Sequence, residues 1–301
     1  MSPYVRLTAA FLVVYLVWGS TYLAIRIGVH DLPPALMTGV RYAVAGILLT
    51  LLARLLGQGW PARRADWIPV AVMGFFMIVI GNFFVTWGEQ WVASNQAALI
   101  AASSALWIAL FGSFGRHAHK LSARSMLGLG IGFCGVILMF WPEEGFDRAH
   151  LLAQCGILLA VIGWATGTTY NRNNPVAVEP LMFAGLQMLA GGSALIVAGL
   201  AVGEAARWTW TLPGIAALAY LTLFGSCLAF ATYVWLIRNT TPDKLGTIGY
   251  VNPAIATVLG WWWLDEALGP RKFAGMLVIL IGVMLVSFPA RRPRGIWRRM
   301  P

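Results

Sequence analysis

The chain has 301 residues, of which 59% are hydrophobic and 11% are charged. Because soluble proteins carry about 25% charged residues, this composition excludes an ordinary water-soluble domain. The net charge of +10 does not indicate a nucleic-acid partner, since that function needs basic residues clustered on one face. Here most basic residues fall between apolar runs, as loop charges of membrane proteins do.

Ten apolar runs follow one another along the chain, separated by charged or Pro- and Gly-rich breaks. Each run is close to the roughly 20 residues that an α-helix needs to cross a bilayer. We therefore predict an all-α integral membrane protein with ten transmembrane helices. In chain order the predicted spans are residues 7–28, 34–56, 67–88, 94–115, 122–141, 151–171, 180–202, 212–237, 245–264 and 271–289.

The basic residues predict how these spans are oriented. An even number of spans places both termini on one side of the membrane, and most of the 21 Lys and Arg residues fall on that side. The opposite side carries only Arg148, Arg207, Arg271 and Lys272. Because loops rich in Lys and Arg stay in the cytoplasm, we predict that both termini are cytoplasmic.

The two halves of the chain match one another when one is shifted by 146 positions, which aligns "WGSTYLAIR" with "WATGTTYNR". The offset drifts by one to three residues further along. The matched pairs are Trp18 with Trp164, Gly39 with Gly185, Arg41 with Gln187, Gly46 with Gly192, Ser103 with Asn252, Gly128 with Gly275 and Gly135 with Gly282.

Each half holds five spans, and an odd number means that the second half enters the bilayer inverted. We predict a first repeat over 1–145, an inverted second repeat over 146–290 and a basic cytoplasmic tail over 291–301. Inverted repeats recur in secondary transporters, whose substrate site lies near the membrane midplane. They also occur in channels, and a duplication can be kept for packing alone.

Two stretches carry a family resemblance: "VWGSTYLAIRIGV…LPPALMTGVRYAVAGILL" and "GYVNPAIATVLGWWWLDEALGPRKFAGMLVILIGVML". Over essentially the whole chain they resemble the drug/metabolite transporter superfamily, specifically its EamA-type ten-helix carriers. The resemblance implies a bacterial inner-membrane exporter of small metabolites. Within the family the chain resembles the YedA-like and YddG-like branch, which includes exporters of amino acids, aromatic ones among them. The family's usual proline in the fourth and ninth spans is present here as Pro253, whereas the first half has Ser104.

Three tryptophans lie near the middle of their predicted spans rather than at an interface. Trp18 and Trp164 occupy matched positions and are candidate walls of a pocket for an apolar or aromatic side chain. Trp107 is a third candidate. The alternative for each is helix–helix packing, which Gly19 beside Trp18 would allow.

A charge inside a span costs roughly 2.5–3.5 kcal/mol on insertion scales and normally faces protein or water. Arg41 is such a charge, and its repeat partner is the neutral Gln187. Arg41 is a candidate clamp for a carboxylate, with an ion pair to Glu89 or Asp31 as the alternative. Arg26 is close enough to its helix end to reach the membrane interface, so we interpret it as an anchor.

Four further polar residues lie in apolar spans: Asn82, Ser103, Tyr250 and Asn252. An unpaired polar atom in such a place is expensive. Each must therefore bond to another helix, to water or to a substrate, and we carry all four as candidate substrate contacts.

The chain lacks the sequence patterns of several enzyme classes, namely GxxxxGK[ST], HExxH and GxSxG. We therefore expect no enzyme activity, no cofactor and no metal. The expected partners are a small-molecule substrate and the lipid bilayer, with protons as a candidate coupling ion. No carboxylate lies at a helix centre, and Glu89 is the nearest.

Together these features predict a secondary-active exporter of amino acids or related small metabolites that works as a single chain. A passive channel or facilitator, an importer and a membrane-embedded enzyme are the competing hypotheses.

Overall fold

The computed structural model describes residues 3–114, 121–140, 147–174, 176–240, 245, 247–267 and 269–287. The described residues form helices without strands, which confirms the all-α prediction. The ten long helices of the described residues are α1 (Pro3–Gly28), α2 (Pro34–Leu55), α3 (Arg64–Gly88), α4 (Ser94–Phe111), α5 (Ala123–Phe140), α6 (Arg148–Asn173), α7 (Pro180–Ala201), α8 (Leu212–Leu236), α9 (Ile248–Leu264) and α10 (Pro270–Ser287).

Most of these segments are long and apolar enough to cross a membrane. Among the described residues, seven helices meet that standard: α1 to α4 and α6 to α8. The fifth, α5, holds a shorter apolar stretch over Ala123–Leu138. The structure therefore supports a multi-pass membrane protein.

Matched local signals begin and end α2 and α7. Each starts with a proline in its first turn, Pro34 and Pro180, where the missing N–H costs nothing. Each is followed by a glycine with positive φ, Gly57 at 78° and Gly203 at 75°, a conformation that glycine adopts without steric cost. The two helices thus begin and end with the same residue types.

Two helices contain a π-helical segment, in which the turns are wider than in an α-helix. These segments are Gly74–Ile80 in α3 and Leu221–Leu228 in α8. Side chains bond to carbonyls near them: the Asn82 amide donates to the Met77 carbonyl at 2.7 Å. The Trp18 indole donates to the Gly225 carbonyl at 3.0 Å. Such segments are frequent at functional sites.

A break in α4 lies at Ser103, between the helical stretches Ser94–Ala102 and Ser104–Phe111. The Ser103 hydroxyl donates to the Ile100 carbonyl at 2.7 Å, and such local bonding bends helices. Its counterpart α9 is continuous through Pro253. The interruption at Ser103 thus falls one residue before Ser104, which stands where the second half has Pro253.

Glycines let α2 and α7 cross with their backbones in contact. A Cβ on Gly46 would lie 2.5 Å from the Leu189 nitrogen and 2.8 Å from the Gly185 carbonyl. A Cβ on Gly39 would lie 3.0 Å from the Gly192 carbonyl. Small residues allow such close approach in membrane helices, and the order of these contacts makes the two helices antiparallel.

The same arrangement recurs where α5 meets α10. A Cβ on Gly128 would lie 2.8 Å from the Gly282 carbonyl, and one on Gly135 would lie 2.9 Å from the Gly275 carbonyl. Each crossing has two such contacts. Replacing both glycines of one contact by their matches in the other half of the chain gives the other contact. These two crossings are the most extensive helix contacts of the described chain.

The remaining six helices pack across the two halves. The first helix, α1, packs against α8 and α9, while α6 packs against α3 and α4, and α4 also contacts α9. We call the bundle face at the N-terminus of α1 the proximal face, and the opposite one the distal face.

Candidate functional site

One cavity of about 340 Å³ lies inside the bundle, and we call it the central cavity. Pockets of roughly 300–1,000 Å³ hold small molecules. Its lining residues come from every helix except α5 and α10. It extends toward the proximal face, where Leu245 and Ile248 line it, and it ends distally near Ile25 and Val85.

Trp18 and Trp164 both line the central cavity. The Trp18 ring lies 5.0 Å from the ring of Tyr233, centroid to centroid, and its indole N–H is bonded to Gly225. Trp164 packs against the buried cluster around Tyr42 and Leu186. The structure thus brings the two matched tryptophans to one space.

Arg41 is 5% exposed and lines the same cavity. Its Nε donates to the Ser226 hydroxyl at 2.9 Å, and its guanidinium lies 4.7 Å from the Tyr42 ring centroid. Among the described residues it forms no ion pair with Glu89 or Asp31. Arg41 is the one charged side chain among the described residues that line the central cavity, which makes this space attractive to an anionic group.

Two amide residues that line the same cavity have buried side-chain oxygens without a described partner. Gln187 is 4% exposed, and neither its Oε1 nor the Oδ1 of Asn252 has a hydrogen-bond partner among the described residues. Both residues line the cavity. Asn82 also lines it, but its amide donates to Met77 and its oxygen accepts from the Tyr42 hydroxyl at 2.6 Å. Asn82 therefore already has protein partners.

Two sequence candidates do not line the central cavity, and the side chain of a third lies outside the described residues. Trp107 packs edge-on against Phe133 at 4.9 Å and does not line the cavity. Ser103 is fully buried and bonded to Ile100. Tyr250 belongs to α9, and its side chain lies outside the described residues. In this structure Trp107 and Ser103 belong to the packing around α4, and their contact with substrate stays a prediction.

A second space of about 740 Å³ lies at the distal face, and we call it the vestibule. Arg26 lines it from the last turn of α1 and donates to the backbone carbonyl of Glu89. Glu266 and Asp31 also line it. No described residue lines both the vestibule and the central cavity, and a layer of residues lies between the two spaces.

Several cavity residues were not singled out from the sequence. Ser226 interrupts an apolar run, a signal that could have marked it as it marked Ser103. Tyr42, Tyr233 and Phe230 also line the cavity, but an aromatic residue in an apolar span carries no local sign of which way it faces.

Comparison with known proteins places this architecture in a family. The model of the EamA-like transporter family matches residues 7–141 and again residues 151–288. An inner membrane transporter of Escherichia coli (strain K12) named YedA is 35% identical over 292 residues, covering 95% of this chain and 93% of that protein.

More distant similarities extend over the same length. The transporter YoaV of Bacillus subtilis (strain 168) is 20% identical, covering 96% of this chain and 99% of that protein. A solved crystal structure with 20% identity superposes with a TM-score of 0.66, covering 93% of this chain and 95% of that one, and it supports the fold alone. The chain is a membrane transporter and belongs to the EamA-like transporter family.

Proposed function

We propose that this protein is a secondary-active exporter of amino acids, aromatic ones among them, or of related small metabolites. It acts in the bacterial inner membrane as a single-chain carrier with both termini in the cytoplasm. The observation that carries the proposal is the central cavity, whose lining combines two tryptophans, one cation and two amide residues with unpartnered oxygens.

This combination is complementary to an amino acid. A substrate carboxylate meets Arg41, whose guanidinium suits a bidentate partner. A substrate ammonium group donates to the free oxygens of Gln187 and Asn252. An apolar or aromatic side chain lies against Trp18 and Trp164, whose rings favour aromatic partners.

Transport proceeds by alternating access between inverted repeats. The glycine contacts of α2 with α7 and of α5 with α10 support this proposal. In each crossing, replacing the glycines of one contact by their matches in the other half gives the second contact, as expected for two repeats. The central cavity lies between the halves, where inverted-repeat carriers hold their substrate.

Uptake into proteoliposomes across a panel of the twenty amino acids, with and without an imposed pH gradient, tests the proposal. We expect saturable uptake of a subset and mutual competition within that subset. Flux that rises linearly with concentration without competition would indicate a channel, and failure of every amino acid would overturn the substrate class.

A further inference from the structure

The Glu89 carboxyl is buried in an unusual way. Its residue is 0% exposed, and neither of its two oxygens has a hydrogen-bond partner among the described residues. An ionised carboxylate without water or donors is far more costly to bury than a neutral acid. The surroundings of Glu89 therefore favour the protonated form.

A second carboxyl nearby has the opposite surroundings. Glu266 acts electrostatically on Glu89, but its own oxygens accept from the Ser94 amide and hydroxyl, both at 2.8 Å, and from the Asn95 amide at 3.0 Å. These donors form the first turn of α4, where negative charge is stabilised. Glu266 therefore has donors that suit a carboxylate, whereas the oxygens of Glu89 have none among the described residues.

Two arginines are close enough to act electrostatically on Glu89, yet neither donates to its carboxyl. Arg26 donates to the backbone carbonyl of Glu89, and Arg41 donates to Ser226. A turn of either guanidinium toward the carboxyl would stabilise the ionised form and release the proton. The same Arg41 is the proposed partner of the substrate carboxylate.

Glu89 also lies between the two spaces of the bundle. Val85, one helical turn earlier, lines the central cavity, while the next residue, Gln90, lines the vestibule. Of the two arginines, Arg41 lines the cavity and Arg26 lines the vestibule. The carboxyl thus occupies the layer that separates substrate from the distal side.

We propose that Glu89 is the proton-binding site of this carrier, protonated in the conformation described and ionised when Arg26 or Arg41 turns to its carboxyl. The inference rests on the proposed function, since it assigns the coupling ion of that same transport cycle.

The titratable and charged groups that act electrostatically on Glu89 are Tyr22 and Arg26 from α1, Arg41 from α2 and Glu266 after α9. On α6, which packs against the end of α3, the His150 ring is bonded to the Trp91 carbonyl at 3.2 Å.

Infrared difference spectra of the lipid-reconstituted protein across a pH titration test the protonation state directly. We expect a carboxylic-acid C=O band that titrates in the wild type, is missing in Glu89→Gln and returns at a shifted pH in Glu89→Asp. Glu204→Gln is the matched control, because Glu204 is 4% exposed but accepts from the Leu36 amide at 2.8 Å. A band that survives unchanged in Glu89→Gln would overturn the proposal.

Transport in proteoliposomes tests the coupling. In the wild type, a pH difference of one unit should concentrate the transported amino acid about tenfold, since one unit is worth 1.36 kcal/mol per proton. Glu89→Gln should lose this accumulation and keep amino-acid exchange at equal pH, and accumulation at the wild-type level would contradict the coupling role. If no amino acid is transported, the proposed function fails, while the infrared titration still decides whether Glu89 holds the proton.

Discussion

The guanidinium of Arg41 has one described hydrogen-bond partner, Ser226, and its remaining N–H groups are available to a ligand. We expect Arg41→Gln to raise the KM of transported amino acids by roughly tenfold to a hundredfold, since hydrogen bonds to charged groups contribute about 1.5–3 kcal/mol. Counterflow measurements check this value. The matched control is the amide of the same amino acid, whose KM should not change, and an equal loss for acid and amide would contradict the carboxylate clamp.

Trp18 offers a second test, because it lines the cavity and its indole N–H is bonded to the Gly225 carbonyl. We expect Trp18→Ala to abolish saturable transport while the protein keeps its melting temperature within a few degrees. Trp262→Ala is the control, since Trp262 is 70% exposed near the end of α9. Unchanged transport in Trp18→Ala would reduce Trp18 to a packing residue.

The close crossing of α2 with α7 predicts that a side chain added between the two backbones destabilises the protein. We expect Gly46→Ala to destabilise the protein by about 1–3 kcal/mol, the usual cost of overpacking, because its Cβ would meet the α7 backbone at 2.5 Å. Thermal unfolding in detergent measures the change. Gly130→Ala is matched to it, since Gly130 is also helical but a Cβ added there would have no atom within 4 Å. Equal melting temperatures for both variants would argue against a backbone contact.

The loop after α1 is tied to the start of α8 by Asp31. Its carbonyl accepts from the Thr209 amide at 3.1 Å, and its carboxylate accepts from the Thr211 hydroxyl. The bond from Thr211, helped by His30, lowers the pKa of Asp31 below its usual value. A lowered pKa means that the carboxylate stabilises the fold above the pKa of the unfolded chain and loses this effect as the pH falls through the folded value.

We therefore expect Asp31→Asn to lower the melting temperature at neutral pH, with a difference from wild type that shrinks in acid, below the usual pKa range of aspartate. Melting curves in detergent across that range check the trend. A difference in melting temperature that is constant with pH would show that the charge of Asp31 does not stabilise the contact between this loop and the start of α8.

At the scale of the whole molecule, the distribution of charge predicts a single orientation. We expect a protease added to inverted membrane vesicles to remove tags from both termini and to leave them intact in right-side-out vesicles, because the basic loops stay in the cytoplasm. A tag on the loop between α5 and α6 should give the opposite pattern. Cleavage of the termini only in right-side-out vesicles would place both termini, and with them the proximal face, on the side away from the cytoplasm.

The sequence was sufficient for the number and order of the helices, because apolar runs and Pro- or Gly-rich breaks are local signals. It could not tell Trp18 from Trp107, since both lie mid-span in helices that are apolar all round and such helices have no polar face to set their rotation. The π-helical segments of α3 and α8 also escaped prediction, because partners from elsewhere in the fold, such as Trp18 for the Gly225 carbonyl, help to satisfy them. Arg41 and Gln187 were matched by the repeat, and the structure places both at one cavity.

That pairing of Arg41 with Gln187 has an evolutionary consequence. A dimer of two identical five-helix chains would have to place the same residue at both positions, so that its cavity held two arginines or none. Two opposed guanidiniums would repel one another, and two glutamines would offer no charge. A fused chain can mutate each copy separately, and it can therefore keep one positive charge in an otherwise neutral cavity.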